Sequence, residues 1–295
     1  MFRRIVASLA LVGAMLGFAP GASAITGNYV KDFEHPFVGL AVFYDAKGEF
    51  LGRCSGSLIS PTVFLTAGHC VEGATTARVY FQQDAGANYD PETELDPITG
   101  YPDYCAAGTL GVTCATSDEL YSYGYPTTSL DRKDVGLLIL DQPIALAEYG
   151  KLAVAGSLDV LATKRGRQSL TFTNSGYGLT YTNPHITISY RERLMSSTQL
   201  VNLTSALTYG FNLQTSNNRR PGTGGTCFGD SGGPVFYGGY TSNIIVGVTS
   251  FGLSEWVCQG VDFAYRTDQT AVLAWIKATA NISDAEWATI VVPLS

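Results

Sequence analysis

Apolar residues in this chain come in runs too short for helices. FVGLAVFY at 37–44, SLISPTVFLT at 57–66 and VGLLIL at 135–140 are rich in β-branched and aromatic residues and are separated by polar turns. Further runs of strand character lie at 169–173, 186–190, 235–237 and 244–250. With 33 glycines and 17 tyrosines in the whole chain, the pattern points to an all-β fold. One stretch departs from it: DQTAVLAWIKATA, 268–280, sets Val272, Trp275, Ile276 and Thr279 near one face of a helix. A chain of 295 residues is long for one sandwich and comfortable for two packed β units.

The first 24 residues read as a leader rather than as fold. Arg3 and Arg4 precede an apolar run from Ile5 to Phe18, and Ala22-Ser23-Ala24 follows, the order of a secretory signal peptide cleaved after Ala24. The run is shorter than the roughly 20 residues that span a bilayer. Export, a secreted location and no membrane partner are therefore expected. A net charge of −7 disfavours nucleic acid and anionic surfaces as partners, and the chain is expected to be a monomer.

Six cysteines in an exported chain suggest three disulfides, chosen from fifteen possible pairings. Cys105 and Cys114 are close enough to close a local loop, whereas Cys54 and Cys70 bracket one motif and Cys227 and Cys258 another. A metal site is not expected, since no CxxC pair occurs and one of the three histidines lies near a cysteine. From Gln82 to Asp131 the sequence turns to Asp, Glu, Pro, Gly and Tyr with little periodicity, a long surface excursion. Its acidic residues Asp84, Asp90, Glu92, Glu94 and Asp96 offer carboxylate oxygens that could bind calcium, but their spacing matches no calcium-loop pattern and favours a solvated loop.

The chemistry concentrates in TCFGDSGGPVF, 226–236. GDSGG satisfies the G-x-S-x-G nucleophile elbow, but that fold needs its histidine after the serine, and His35, His69 and His185 all precede Ser231. Upstream, TAGHC at 66–70 sets His69 at the end of an apolar strand, and RKDVGLLIL at 132–140 sets Asp134 just before another. In order, TAGHC, DVGLL and GDSGGP resemble the three catalytic blocks of the chymotrypsin-like (trypsin-fold) serine peptidases. The likeness runs from Ile25 to the 268–280 helix.

That resemblance implies two packed six-stranded antiparallel β-barrels with a C-terminal α-helix. Residues 25–155 would form the first barrel, carrying His69 and Asp134 and the 82–131 insertion. Residues 156–295 would form the second, carrying Ser231. A serine hydroxyl is a poor nucleophile until a base takes its proton. His69 would be that base, Asp134 would fix its tautomer, and the N–H groups of Gly229 and Ser231 would form the oxyanion hole. Asp230 would pair with the α-ammonium of Ile25, freed when the leader is removed. The disulfides would be Cys54–Cys70, Cys105–Cys114 and Cys227–Cys258.

Family spacing sets the pocket floor at Gly225, with Ser250, Phe251 and Gly252 as its wall. A neutral floor implies an uncharged, apolar residue before the scissile bond of a protein or peptide substrate. Register against the family is ambiguous by one near Gly260 and Val261; glycine there admits an aromatic residue and valine narrows the pocket. No cofactor is implied. The competing reading is a silent homologue that binds a partner, and a third is an esterase-like hydrolase on the same three residues. Residues 282–295 run past the family's usual helix without an assigned role.

Overall fold

In the computed structural model the described residues are 25–294, except 91, 97–99, 128–130, 163–169, 184, 189–190, 219–220 and 254–256. The expected leader, residues 1–24, lies outside them.

The run 37–44 becomes the strand Val38–Tyr44, buried through Phe43 on both faces. It pairs antiparallel with Phe50–Leu58 on one side and Thr76–Tyr80 on the other. Val63–Thr66 and Gly136–Ile139 continue the sheet beyond Phe50–Leu58. Cys114–Ser117 and Glu119–Ser122, separated by Asp118 alone, occupy its two edges. The chain thus passes directly from one edge to the other and nearly closes a first barrel. Phe37, Leu40, Val42, Phe64, Val79 and Leu137 fill it.

The second barrel is a closed ring of six antiparallel strands: Thr171–Gly176, Leu194–Asn202, Asn212–Asn217, Gly260–Arg266, Ile244–Gly252 and Pro234–Tyr237. Pairing of Pro234–Tyr237 with both Thr171–Gly176 and Ile244–Gly252 closes it. Phe172, Leu213, Val235 and Val246 make its core, while Tyr177, Phe236 and Tyr265 join the core of the first barrel. The fold is mostly β, as the sequence predicts.

Three features depart from the sequence reading. The excursion 82–131 is not structureless, since it contains the two edge strands of the first barrel, and its middle is tied in by Tyr80 Oη donating to Pro102 O and Tyr89 Oη to Tyr104 O. Residues 26–31 pair with the second barrel, Thr26–Gly27 against Gly224–Gly225 and Tyr29–Lys31 against Leu194–Ser196. The tail also has a place. After helix α1, Thr270–Thr279, which buries Val272, Leu273 and Ile276, a short helix α2 spans Asp284–Ile290 with the Ser283 hydroxyl accepting from Glu286 N–H at its start. Val291–Val292 then pairs parallel with Lys151–Ala153, the strand linking the barrels, which also runs parallel to Ile244–Gly252.

Candidate active site

His69 follows the strand Val63–Thr66 and sits in the 3-10 turn Gly68–Cys70. A Cβ on Gly68 would lie 2.9 Å from Tyr125 Cβ and 3.2 Å from Val135 N, so only glycine lets the turn press against the segment that carries Asp134. Cys70 is joined to Cys54, fixing the far side of the turn. Asp134, 2% exposed, precedes Gly136–Ile139. Its Oδ1 accepts the backbone N–H of His69 at 2.8 Å, and its Oδ2 lies 2.9 Å from His69 Nδ1. A carboxylate only accepts, so Nδ1 carries the proton, which in the neutral ring leaves Nε2 as the acceptor. Ser250 Oγ also donates to Asp134 Oδ2.

Ser231 lies in the turn between Cys227 and Pro234. Gly229 at φ +93° and Gly232 at φ +77° adopt conformations that L side chains avoid. Ser231, Gly229 and His69 border one cavity of 540 Å³, with Arg53, Glu72, Leu179 and Phe228 around it. Among the hydrogen bonds of the described residues none joins Ser231 Oγ to His69 Nε2; such bonds are commonly long without substrate. Asp230 is fully buried, with Oδ1 accepting from Gly178 N–H at 2.7 Å and Oδ2 from Cys227 N–H at 2.9 Å. Burial pushes its pKa up to about 7, against the two backbone donors and the Arg53 cation, which lower it.

Ser231 also borders a second cavity, of 260 Å³. Ser250, Phe251 and Gly252 line it, as do the half-cystines Cys227 and Cys258, Val257, Val261 and Asp262. Gly225 does not; it is buried, paired with Thr26, and a Cβ there would meet Asn217 at 2.2 Å. Across the pairing of Phe251 with Phe263 and Gly252 with Asp262, Val261 and Asp262 line the wall, and Gly260 does not. Asp262 is the residue that sequence reasoning missed. Its Oδ1 accepts from Asn217 Nδ2 at 2.8 Å and its Oδ2 from Thr226 N–H at 2.7 Å, while burial pushes its pKa up to about 6. A lone acidic residue inside GVDFAYR gives no local signal; its meaning comes from cross-strand register.

His35 lines neither cavity. It is 1% exposed, with Nδ1 2.9 Å from Asp32 Oδ2, Nε2 3.0 Å from Ser242 O, and its ring stacked on Phe236. His185 is exposed in a turn. Cys54, His69 and Cys70 are the one cluster of ligand-type side chains among the described residues, and the two sulfurs are spent in a disulfide. The remaining disulfides are Cys105–Cys114 and Cys227–Cys258. In the acidic excursion, Asp90 and Glu94 bind the loop's own donors, Glu92 N–H to Asp90 and Tyr104 Oη to Glu94.

Two β-barrels with an imidazole–carboxylate couple and a glycine-framed serine at a shared cleft define a trypsin-fold molecule of the serine peptidase class. The chain belongs to the trypsin family, whose model, Trypsin, matches residues 34–276. Brachyurin of Leptuca pugilator is 30% identical over 233 residues, 78% of this chain and 88% of that one. Human chymotrypsin-like elastase family member 3B is 25% identical, covering 85% of this chain and 88% of that protein. The solved structure of HL collagenase shares the fold with a TM-score of 0.59 at 18% identity, covering 88% of this chain and 99% of that one. Membership of this family makes the chain a serine protease homologue, of a kind that acts on protein or peptide substrates.

Proposed function

We propose that the chain is a secreted serine endopeptidase, acting through an acyl-enzyme with Ser231 as nucleophile, His69 as base and Asp134 as the group that orients it. Ser231 Oγ attacks the scissile carbonyl carbon while His69 Nε2 takes its proton. The oxyanion that forms is received by the N–H groups of Gly229 and Ser231. The imidazolium then gives its proton to the departing amine, and water, deprotonated by the same nitrogen, releases the acid product and restores the hydroxyl. The observation that carries this reading is the double hold of Asp134 on His69 at the wall of the cavity Ser231 borders. Retention of all three residues together with Gly229 favours an enzyme over a silent binding homologue. A fluorophosphonate probe tests this: labelling that disappears in Ser231→Ala supports it, and an unlabelled native protein overturns it.

Substrate choice follows from the 260 Å³ cavity. Its Val257, Val261 and Phe251 walls suit a large apolar side chain before the scissile bond. Asp262 adds a carboxylate at the wall, so Lys and Arg are accepted as well once it is ionised. This replaces the purely neutral pocket that Gly225 alone implies.

Export would remove residues 1–24 and free the α-amine of Ile25. Ile25 is buried at φ +62°, a left-handed value costing a β-branched residue about 1–3 kcal/mol. Cleavage before Ile25 abolishes that torsion. Thr26, paired with Gly225, leads Ile25 to the segment entering Cys227, whose N–H binds Asp230. The freed ammonium is the cation that the buried Asp230 carboxylate calls for.

A further inference from the structure

Ser55 lies on Phe50–Leu58 of the first barrel and is fully buried. All its polar atoms are engaged. Its Oγ donates to Gly229 O at 2.9 Å and accepts from Tyr177 N–H at 2.9 Å. Its N–H donates to Ser231 O at 2.8 Å, and its carbonyl accepts from Thr66 Oγ1 at 2.8 Å. Thr66 ends the strand that leads to His69.

We propose that Ser55 is a positioning residue for the nucleophile turn, setting the peptide planes around Gly229 so that the oxyanion donors face the reacting carbonyl. The inference rests on the assignment of Ser231 as nucleophile. Gly229 is the one residue between the peptide that donates to the oxyanion and the peptide whose carbonyl Ser55 holds. Glycine lets those two planes rotate against one another at little cost, so a fixed orientation needs an external contact. The Ser55 hydroxyl supplies one from the opposite barrel, and its second bond, to Tyr177, fixes the direction of its own proton. Its carbonyl, through Thr66, ties the same residue to the strand carrying His69. The joint has no slack: a Cβ on Gly232 would lie 2.1 Å from Thr66 Oγ1 and 2.5 Å from Ser55 O.

Ser55→Ala removes the hydroxyl and keeps the backbone bond to Ser231. Direct loss of an oxyanion donor costs about 10²–10³ in kcat; loss of the group that aims one is expected to cost about tenfold, with KM changed less than twofold. A peptide aldehyde, which forms a tetrahedral adduct with an oxyanion, should weaken by the same factor, whereas a non-covalent ligand of the 260 Å³ cavity should bind unchanged. Ser55→Thr, which restores the hydroxyl, should recover most of the rate. Ser55→Gly serves as a second hydroxyl-less variant should alanine disturb folding. Rates are taken per active site titrated with fluorophosphonate. A kcat and aldehyde affinity within twofold of the parent, or a deficit confined to thermal stability, would overturn the proposal. Native protein that the probe does not label would instead sink the nucleophile assignment.

Discussion

Asp134 holds His69 at two points, accepting its backbone N–H with Oδ1 and facing its Nδ1 with Oδ2 at 2.9 Å. One carboxylate therefore fixes both where the turn sits and which way the ring faces. Asp134→Asn keeps the shape and presents a donor to Nδ1, turning the wrong tautomer towards Ser231. A fall in kcat of about 10⁴-fold is expected, with KM little changed. Ser250→Ala, which removes a single donor to the same carboxylate, should cost about tenfold. Steady-state kinetics on a peptide amide checks both; an unchanged rate in Asp134→Asn would remove Asp134 from the mechanism.

Under the proposed function, Asp262 should make cleavage preference depend on pH. Burial holds its pKa up at about 6, so it is neutral below that value and charged above it. The ratio of kcat/KM for Arg or Lys against Leu or Phe at the residue before the cut should rise as pH passes from 5 to 7. Taking the ratio cancels any ionisation common to both reactions. Asp262→Asn should flatten the profile and lower cleavage after Arg by about ten- to a hundredfold, with cleavage after Leu nearly intact. Equal Arg cleavage in the variant would show that the carboxylate is not read by substrate.

The proposed free amine of Ile25 should give a second pH dependence, of opposite sense. A buried ammonium paired with Asp230 titrates above its ordinary value of about 7.7–8. Its contribution is complete below that value and is lost as pH rises through the raised one. Mature enzyme should lose activity reversibly on the alkaline side, and protein carrying two extra residues before Ile25 should show a kcat lower by at least about tenfold, the cost of a mis-set oxyanion donor. Full activity in the extended protein would rule out the pairing.

The disulfide Cys54–Cys70, of sequence separation 16, adjoins His69. A loop of that length is worth about 3 kcal/mol of stability. The double variant Cys54→Ala/Cys70→Ala should unfold at lower urea concentration and also lose kcat, because the histidine turn loses one anchor. A shift in stability with an untouched rate would assign the bond to folding alone.

The tail after α1 should matter for stability. Ile290 is 2% exposed at the end of α2, and Ile290→Ala is expected to cost about 2–5 kcal/mol. Ser283→Ala, which removes the cap of α2, should cost about 1 kcal/mol. Urea titration of the two variants measures both effects.

Legibility of the fold followed the range of the forces involved. Val38–Tyr44 and Gly136–Ile139 are visible in the sequence because their burial is written in consecutive apolar residues. Cys114–Ser117 is not, for CATS carries little hydrophobic pattern and is held by pairing with Thr76–Tyr80 and by the bond to Cys105. The proposed catalytic blocks stand out because glycine, histidine, aspartate and serine each meet a local demand. Asp262 and Ser55 gain their proposed roles across strands and barrels, from Gly252 opposite Asp262 and from Gly229 opposite Ser55. Val291–Val292 escaped notice because a two-residue parallel pairing leaves no periodic trace.

The most direct measurement traps the covalent intermediate. Mature protein mixed with an activated ester and quenched in acid within milliseconds is digested and its peptides weighed. The account predicts an acyl group on the peptide containing Ser231, absent in His69→Ala, together with cleavage of a denatured protein substrate by the native enzyme. An acyl group on another residue, or turnover with Ser231 never modified, would contradict it.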